Sequence, residues 1–253
     1  MRTPFLAITC WLTACFAAET TGPSAAERSY AKGDYAAAVE QWQQEIHSQG
    51  VTAGLLGAVG NAEWKLGRKG RAMICWERAL LLDPRDTVAL AGIRHAQNAG
   101  GTERPAMTWA ETFSTAVGAD TWLIVAAASF WVALLTVIIP KMRRKPANDW
   151  TQRARLSAVT LLALCIPGLW GARSYASRAV VRKTEVSLRL TPTLLGEPLH
   201  GVAEGDVVRT GRPFNGHIRI TTADGKTGWV RAGEIESVWG GGLPADLDQK
   251  AAP

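Results

Sequence analysis

The sequence predicts a multidomain membrane protein, with an α-helical repeat module, a two-helix transmembrane hairpin and a small all-β barrel in that order. Three observations carry this prediction. Two charge-free apolar runs flank a strongly basic linker, a thirty-four-residue period runs through the region before them, and short β-branched runs broken by turn residues follow.

Residues 1–18 (MRTPFLAITCWLTACFAA) have one basic residue, a short apolar core and small residues before Glu19. This is the pattern of a secretory signal peptide, too short to be a further span. Leu12-Thr13-Ala14-Cys15 also resembles a bacterial lipobox, in which Cys15 would be acylated and become the new N-terminus. Simple cleavage after Ala17 or Ala18 is the favoured reading, because the hairpin is a far stronger anchor than an acyl chain. Only Cys75 and Cys165 then remain, one in an exported helix and one within the bilayer, so no disulfide scaffold is expected.

Residues 19–100 hold the repeats. Tyr30, Gly33, Ala38 and Trp42 recur thirty-four positions later as Trp64, Gly67, Ala72 and Trp76. The physical logic is helix, tight turn, helix: glycine permits the reversal, alanine lets two helices approach, and the aromatic rings fill the space between layers. With Gly60-Asn61-Ala62, Ala79-Leu80 and Asp83-Pro84 in the second copy, these residues resemble the tetratricopeptide repeat. The first copy departs from it at Glu45 and Gly50. Thr87 to Ala99 would be a cap helix covering the second repeat, needed because two repeats alone bury too little.

Residues 101–120 read as a linker with a short amphipathic lead-in through Trp109 and Phe113. The first span, 121–140, is twenty uncharged residues, about 30 Å of helix and so about one hydrocarbon thickness. The second, 156–172, has seventeen, at the lower edge of the spanning range, with Arg155 and Arg173 placed to snorkel. Trp122, Trp150 and Trp170 are expected in the headgroup layers. The linker 141–155 carries six Lys or Arg and one Asp, against one Arg and three acids in 101–120, so the linker should face the cytoplasm and both flanks the outside. The flanks cancel in charge, and the net +6 belongs to the linker and Arg2. That surplus sits at a membrane edge, where the orientation rule and anionic lipid explain it, and no nucleic-acid footprint follows.

Residues 180–239 change character. Five strands are expected, at 185–190, 206–210, 217–222, 228–231 and 235–238, with Asp224-Gly225 turning a tight hairpin. Ser187 to Pro192, Gly205 to Val208 and Asp224 to Val230 resemble bacterial SH3-like domains, a likeness that implies a small barrel with Trp229 in its core. Residues 240–253 are expected to be a disordered tail.

Recognised chemistry is absent from the pattern. His47, His95, His200 and His217 lack metal spacing, no CxxC pair occurs, and Gly54, Gly57 and Gly60 fall within a repeat helix rather than after a strand. No cofactor, metal or catalytic residue is expected, and the chain does not read as an enzyme. Signal, repeat module, hairpin and SH3-like domain in this order resemble the BatE-type proteins of bacterial aerotolerance operons. The resemblance implies an inner-membrane scaffold whose partners are von Willebrand A-domain membrane proteins and a MoxR-type AAA ATPase. The alternative is an envelope-sensing module whose SH3-like domain binds peptidoglycan. In a tetratricopeptide array the first helices line the groove, which picks out Glu27 and Tyr30, then Asn61, Trp64 and Lys65, and His95 in the cap as candidate protein-binding residues. Asn61 and Lys65, four apart on one helix face, could hold a peptide carboxylate or backbone, with Tyr30 and Trp64 giving apolar contact.

Overall fold

The computed structural model describes residues 23–142, 148–193 and 196–239; the expected signal peptide, Cys15, the tail and the centre of the basic linker lie outside the described residues. Among the described residues five helices come first: α1 (Ala25–Ala31), α2 (Tyr35–Gln49), α3 (Ala53–Lys65), α4 (Lys69–Leu82) and α5 (Thr87–Asn98). Local chemistry sets their starts. Ser24 and Glu27 form a reciprocal capping box on α1, and Asp34, Thr52 and Asp86 cap α2, α3 and α5 by accepting backbone N–H groups.

The thirty-four-residue period maps onto equivalent geometry. Gly33 and Gly67 both turn the chain at positive φ, +84° and +77°. Ala38 and Ala72 are fully buried, and the Tyr30–Trp42 and Trp64–Trp76 rings each pack at a centroid distance of 5.8 Å. Trp76 is the hub of the second copy. Its indole lies against Gly60 of α3 and Gly92 of α5, where a Cβ on either glycine would run into the ring.

The expected linker contains structure of its own. Residues 101–108 lie along the later sheet, with Val207 N–H donating to the Glu103 carbonyl at 2.8 Å and Glu103 N–H to Asp206 at 2.7 Å. A short helix, α6 (Trp109–Ser114), follows under a Thr108–Glu111 capping box. Then come α7 (Ala119–Met142) and α8 (Asp149–Ala176), both longer than the expected spans, and α8 takes up seven residues assigned from sequence to the linker. Each is long and apolar enough to cross a membrane, and only 11% and 22% of their most apolar stretches are buried. One expected interfacial residue is misplaced: Trp122 is 8% exposed, donating to the Ser114 carbonyl at 3.1 Å and packing on Phe113 and over Gly168. An indole already satisfied inside the protein has no reason to seek the headgroups.

Among the described residues seven strands, not five, follow: β1 (Arg178–Val181), β2 (Val186–Arg189), β3 (Pro198–Val202), β4 (Val207–Phe214), β5 (His217–Thr221), β6 (Thr227–Arg231) and β7 (Ile235–Ser237). They form an open antiparallel sheet in the order β3-β2-β6-β5-β4-β1-β7. Gly225, at φ +82°, turns the β5–β6 hairpin as its Asp-Gly step predicts. Trp229 departs from expectation. Gly228 and Val230 are buried while Trp229 between them is only half-buried, since alternation along β6 turns it to the other face.

Two cores hold the molecule together. One lies within the sheet, around Val186, Leu188, Ile220 and Val230. The other fills the helical repeats and continues into Tyr175 of α8 and Val180, Val207 and Val238 of the sheet region, so repeats and sheet share one apolar interior. Ion pairs surround this seam. Arg78 of α4 and Arg182 grip the two oxygens of Glu236 at 2.8 and 2.9 Å, and Glu77 of α4 accepts from Arg104 and from the Tyr175 hydroxyl. Glu111 of α6 accepts from Arg178 (2.8 Å), Arg209 (3.1 Å) and Ser174 (2.9 Å). Burial pulls the Arg104 guanidinium down, but the charge and hydrogen bond of Glu77 outweigh that and leave it above its ordinary value.

Candidate functional site

The first helices of the repeats, α1 and α3, together with α4 and α5 contribute residues to the lining of an open cavity of about 450 Å³. Five of the six residues expected at the groove line it: Tyr30 from α1, Asn61, Trp64 and Lys65 from α3, and His95 from α5. The sixth, Glu27, does not; its carboxylate is turned to the N-terminus of α1, where it accepts the Ser24 N–H at 2.9 Å. A capping role on a short helix is sufficient to explain it.

Each lining side chain has a defined setting. Trp76 Nε1–H donates to Asn61 Oδ1 at 3.2 Å, so the amide oxygen is engaged and its NH₂ group is the end left for a ligand. Trp64 packs on Trp76 and meets the His95 imidazole edge-on at 5.9 Å. Tyr30 touches both Tyr35 and Trp42, and burial first, then the neighbouring Tyr35, raises its hydroxyl above the ordinary phenol value. Lys65 is exposed at the rim and forms no ion pair among the described residues. The wall is aromatic, with an amide donor, an ammonium and an imidazole around it.

Sequence reasoning missed the opposite wall. Thr87, Val88, Ala91 and Gly92 of α5 line the cavity beside His95. Their spacing places them on one helix face, so the signal was present once His95 was assigned inward. Trp76, read from sequence as packing alone, also reaches the cavity floor.

The sheet offers a second surface. Trp229 stands in register between Arg219 of β5 and Arg189 of β2, and its ring lies 6.3 Å from that of Phe214, an exposed residue. Two carboxylates at the ends of its strands have structural roles. Asp206, although raised by burial, accepts N–H groups from Glu103 and Ala203, and Asp224 is held low by Lys226 and Thr222 within the hairpin turn.

No family model matches the chain, and no curated protein is similar to it.

Proposed function

We propose that the chain is a membrane-anchored interaction scaffold of the bacterial envelope, in which a tetratricopeptide-type groove docks a segment of a partner protein. The observation that carries this reading is the convergence of Tyr30, Asn61, Trp64, Lys65 and His95 on one open cavity from three alternate helices, α1, α3 and α5. Such a wall offers an extended peptide apolar contact, while the Asn61 amide and the Lys65 ammonium suit its carbonyls or carboxylates. The helices α7 and α8 serve as the anchor, with the basic linker in the cytoplasm and the repeats and sheet outside. The module order favours a BatE-type setting in the inner membrane, with von Willebrand A-domain proteins and a MoxR-type ATPase system as partners. No reaction is assigned to the chain.

A second reading is favoured by Trp229. Half-buried on the outer face of the SH3-like sheet, with Phe214 beside it and Arg189 and Arg219 flanking it, it suits stacking on a sugar ring with anionic groups nearby. Peptidoglycan is the ligand of that class. Parallel capture assays separate the two: the full chain incubated with purified cell wall, and with solubilised membrane proteins. Retention of membrane proteins that is lost on blocking the groove supports the scaffold, whereas retention by cell wall alone, lost in Trp229→Ala, supports the second reading.

A further inference from the structure

The short helix α6 is held with unusual firmness for an element of six residues. Its Ala110 carbonyl lies against Gly171 of α8 so closely that no other residue type fits there without moving one backbone from the other. Its Glu111 is fully buried and accepts from Arg178, Arg209 and Ser174, and its Ser114 carbonyl accepts from Trp122. Every one of these contacts uses the inner face of α6.

The outer face carries Trp109 and, one turn on, Thr112. Trp109 is 69% exposed and Trp170 of α8 is 60% exposed, yet their rings meet at 6.4 Å. The pair is continuous with uncovered apolar side chains of α8, with Ile166 one turn below Trp170. Two indoles in contact, both open on the side that faces away from the protein and merging with an apolar helix surface, match the headgroup boundary of a bilayer rather than water.

We infer that α6 is an interfacial membrane-docking element, and that Trp109 and Trp170 together set the depth of the hairpin in the headgroup layer. This rests on the reading of α7 and α8 as membrane spans. The pair takes over the role expected of Trp122, which is turned inward. Because α6 also carries Glu111, which holds Arg178 at the start of the sheet, the bilayer surface fixes the height at which the exported modules stand.

Site-directed spin labelling of the full chain in phosphatidylcholine bilayers tests this. Cys75 and Cys165 are buried, so with Cys10→Ser and Cys15→Ser an introduced cysteine takes the nitroxide. One label goes at Thr112→Cys and a reference at Leu135→Cys, an exposed position of α7. The expected result is that both labels collide more with dissolved oxygen than with a water-soluble nickel chelate, with the 112 label the shallower. Adding Trp109→Ser should raise the nickel collision rate at 112 at least twofold. A 135 label in lipid with a 112 label as open to nickel as one on Ala31 overturns the inference alone. A 135 label in water overturns the membrane reading with it, and a 112 label in lipid that ignores Trp109→Ser overturns the role of the indole pair.

Discussion

The carboxylate of Glu111 and the guanidinium of Arg178 meet at 2.8 Å with neither side chain reaching solvent. Arg178 is the second residue after α8 and the first of β1, and it also lies over the Tyr175 ring at 4.7 Å. The pair therefore ties the end of the second apolar helix, the sheet and α6 at one point. Two of its guanidinium nitrogens, Nε and Nη1, have no hydrogen-bond partner among the described residues. Charge placed there without full hydrogen bonding is poor economy for stability but strongly punishes separation of the parts it joins.

Removing one member should show this. Glu111→Ala leaves the buried Arg178 guanidinium without its acceptor, while the partly exposed Arg209 keeps the Ala106 carbonyl, and is expected to cost about 3 to 5 kcal/mol. Glu111→Leu combined with Arg178→Met should recover most of that loss. Thermal unfolding of the full chain in detergent checks both, and a single variant that melts with the parent would show that the pair is not what joins these elements.

The same carboxylate gives a pH signature. Burial tends to raise Glu111, but the Thr108 N–H and the Arg178 charge prevail and hold it below its usual range. A depressed carboxyl stabilises the fold fully above the unfolded value of about 4.3, and the contribution is lost as pH falls through the lower folded value. The stability difference between the parent and Glu111→Gln should thus be constant near neutrality and shrink in acid. Melting curves from pH 7 to pH 3 give the comparison, and a gap that widens in acid would reverse the assigned sign.

Two glycines of the repeat module should respond oppositely to alanine. Gly92→Ala drives a methyl into the buried Trp76 ring and is expected to destabilise by about 1 to 3 kcal/mol. Gly54 meets nothing within 4 Å, so Gly54→Ala should be neutral or stabilise by up to about 1 kcal/mol through helix propensity. Circular dichroism melts of the two variants decide it. Equal shifts would mean that Trp76 is not packed as described.

The repeat register and both apolar helices were legible because each rests on local chemistry. A glycine at positive φ and a ring pair must recur at the same spacing if the copies fold alike, and a charge-free run is visible wherever it folds. Two strands were not legible. β1 is buried at all four positions and so shows no alternation, while β3 is an exposed edge carrying Pro198 and Gly201. The ion network was invisible for another reason. Glu111 and Arg178 lie sixty-seven positions apart, and charged residues in a linker and after a span read as solvated until the fold brings them together. In the groove, the aromatic and polar residues of α3 were legible, but the α5 wall carried only a spacing signal relative to His95, because Thr87, Val88, Ala91 and Gly92 carry no chemistry of their own.

Trp229 separates sheet packing from surface. Since it is half-buried on the outer face, Trp229→Ala should lower stability far less than Ile220→Ala, for which about 2 to 5 kcal/mol is expected from a fully buried position. Comparing the two melts checks the assignment of faces, and a larger loss at Trp229 would return it to the core.

The groove itself is best tested by filling it without disturbing its walls. Asn61 is a poor probe, because Asn61→Ala also strips Trp76 of its acceptor. Lys65 and Ala91 are exposed and line the cavity, so Lys65→Ala with Ala91→Arg removes a cation at one rim and obstructs the space at the other while touching no core contact. With the full chain as bait for solubilised membrane proteins, the docking account predicts that partner retention falls at least tenfold while the melting temperature stays with the parent. Undiminished retention at an unchanged melting temperature would contradict it.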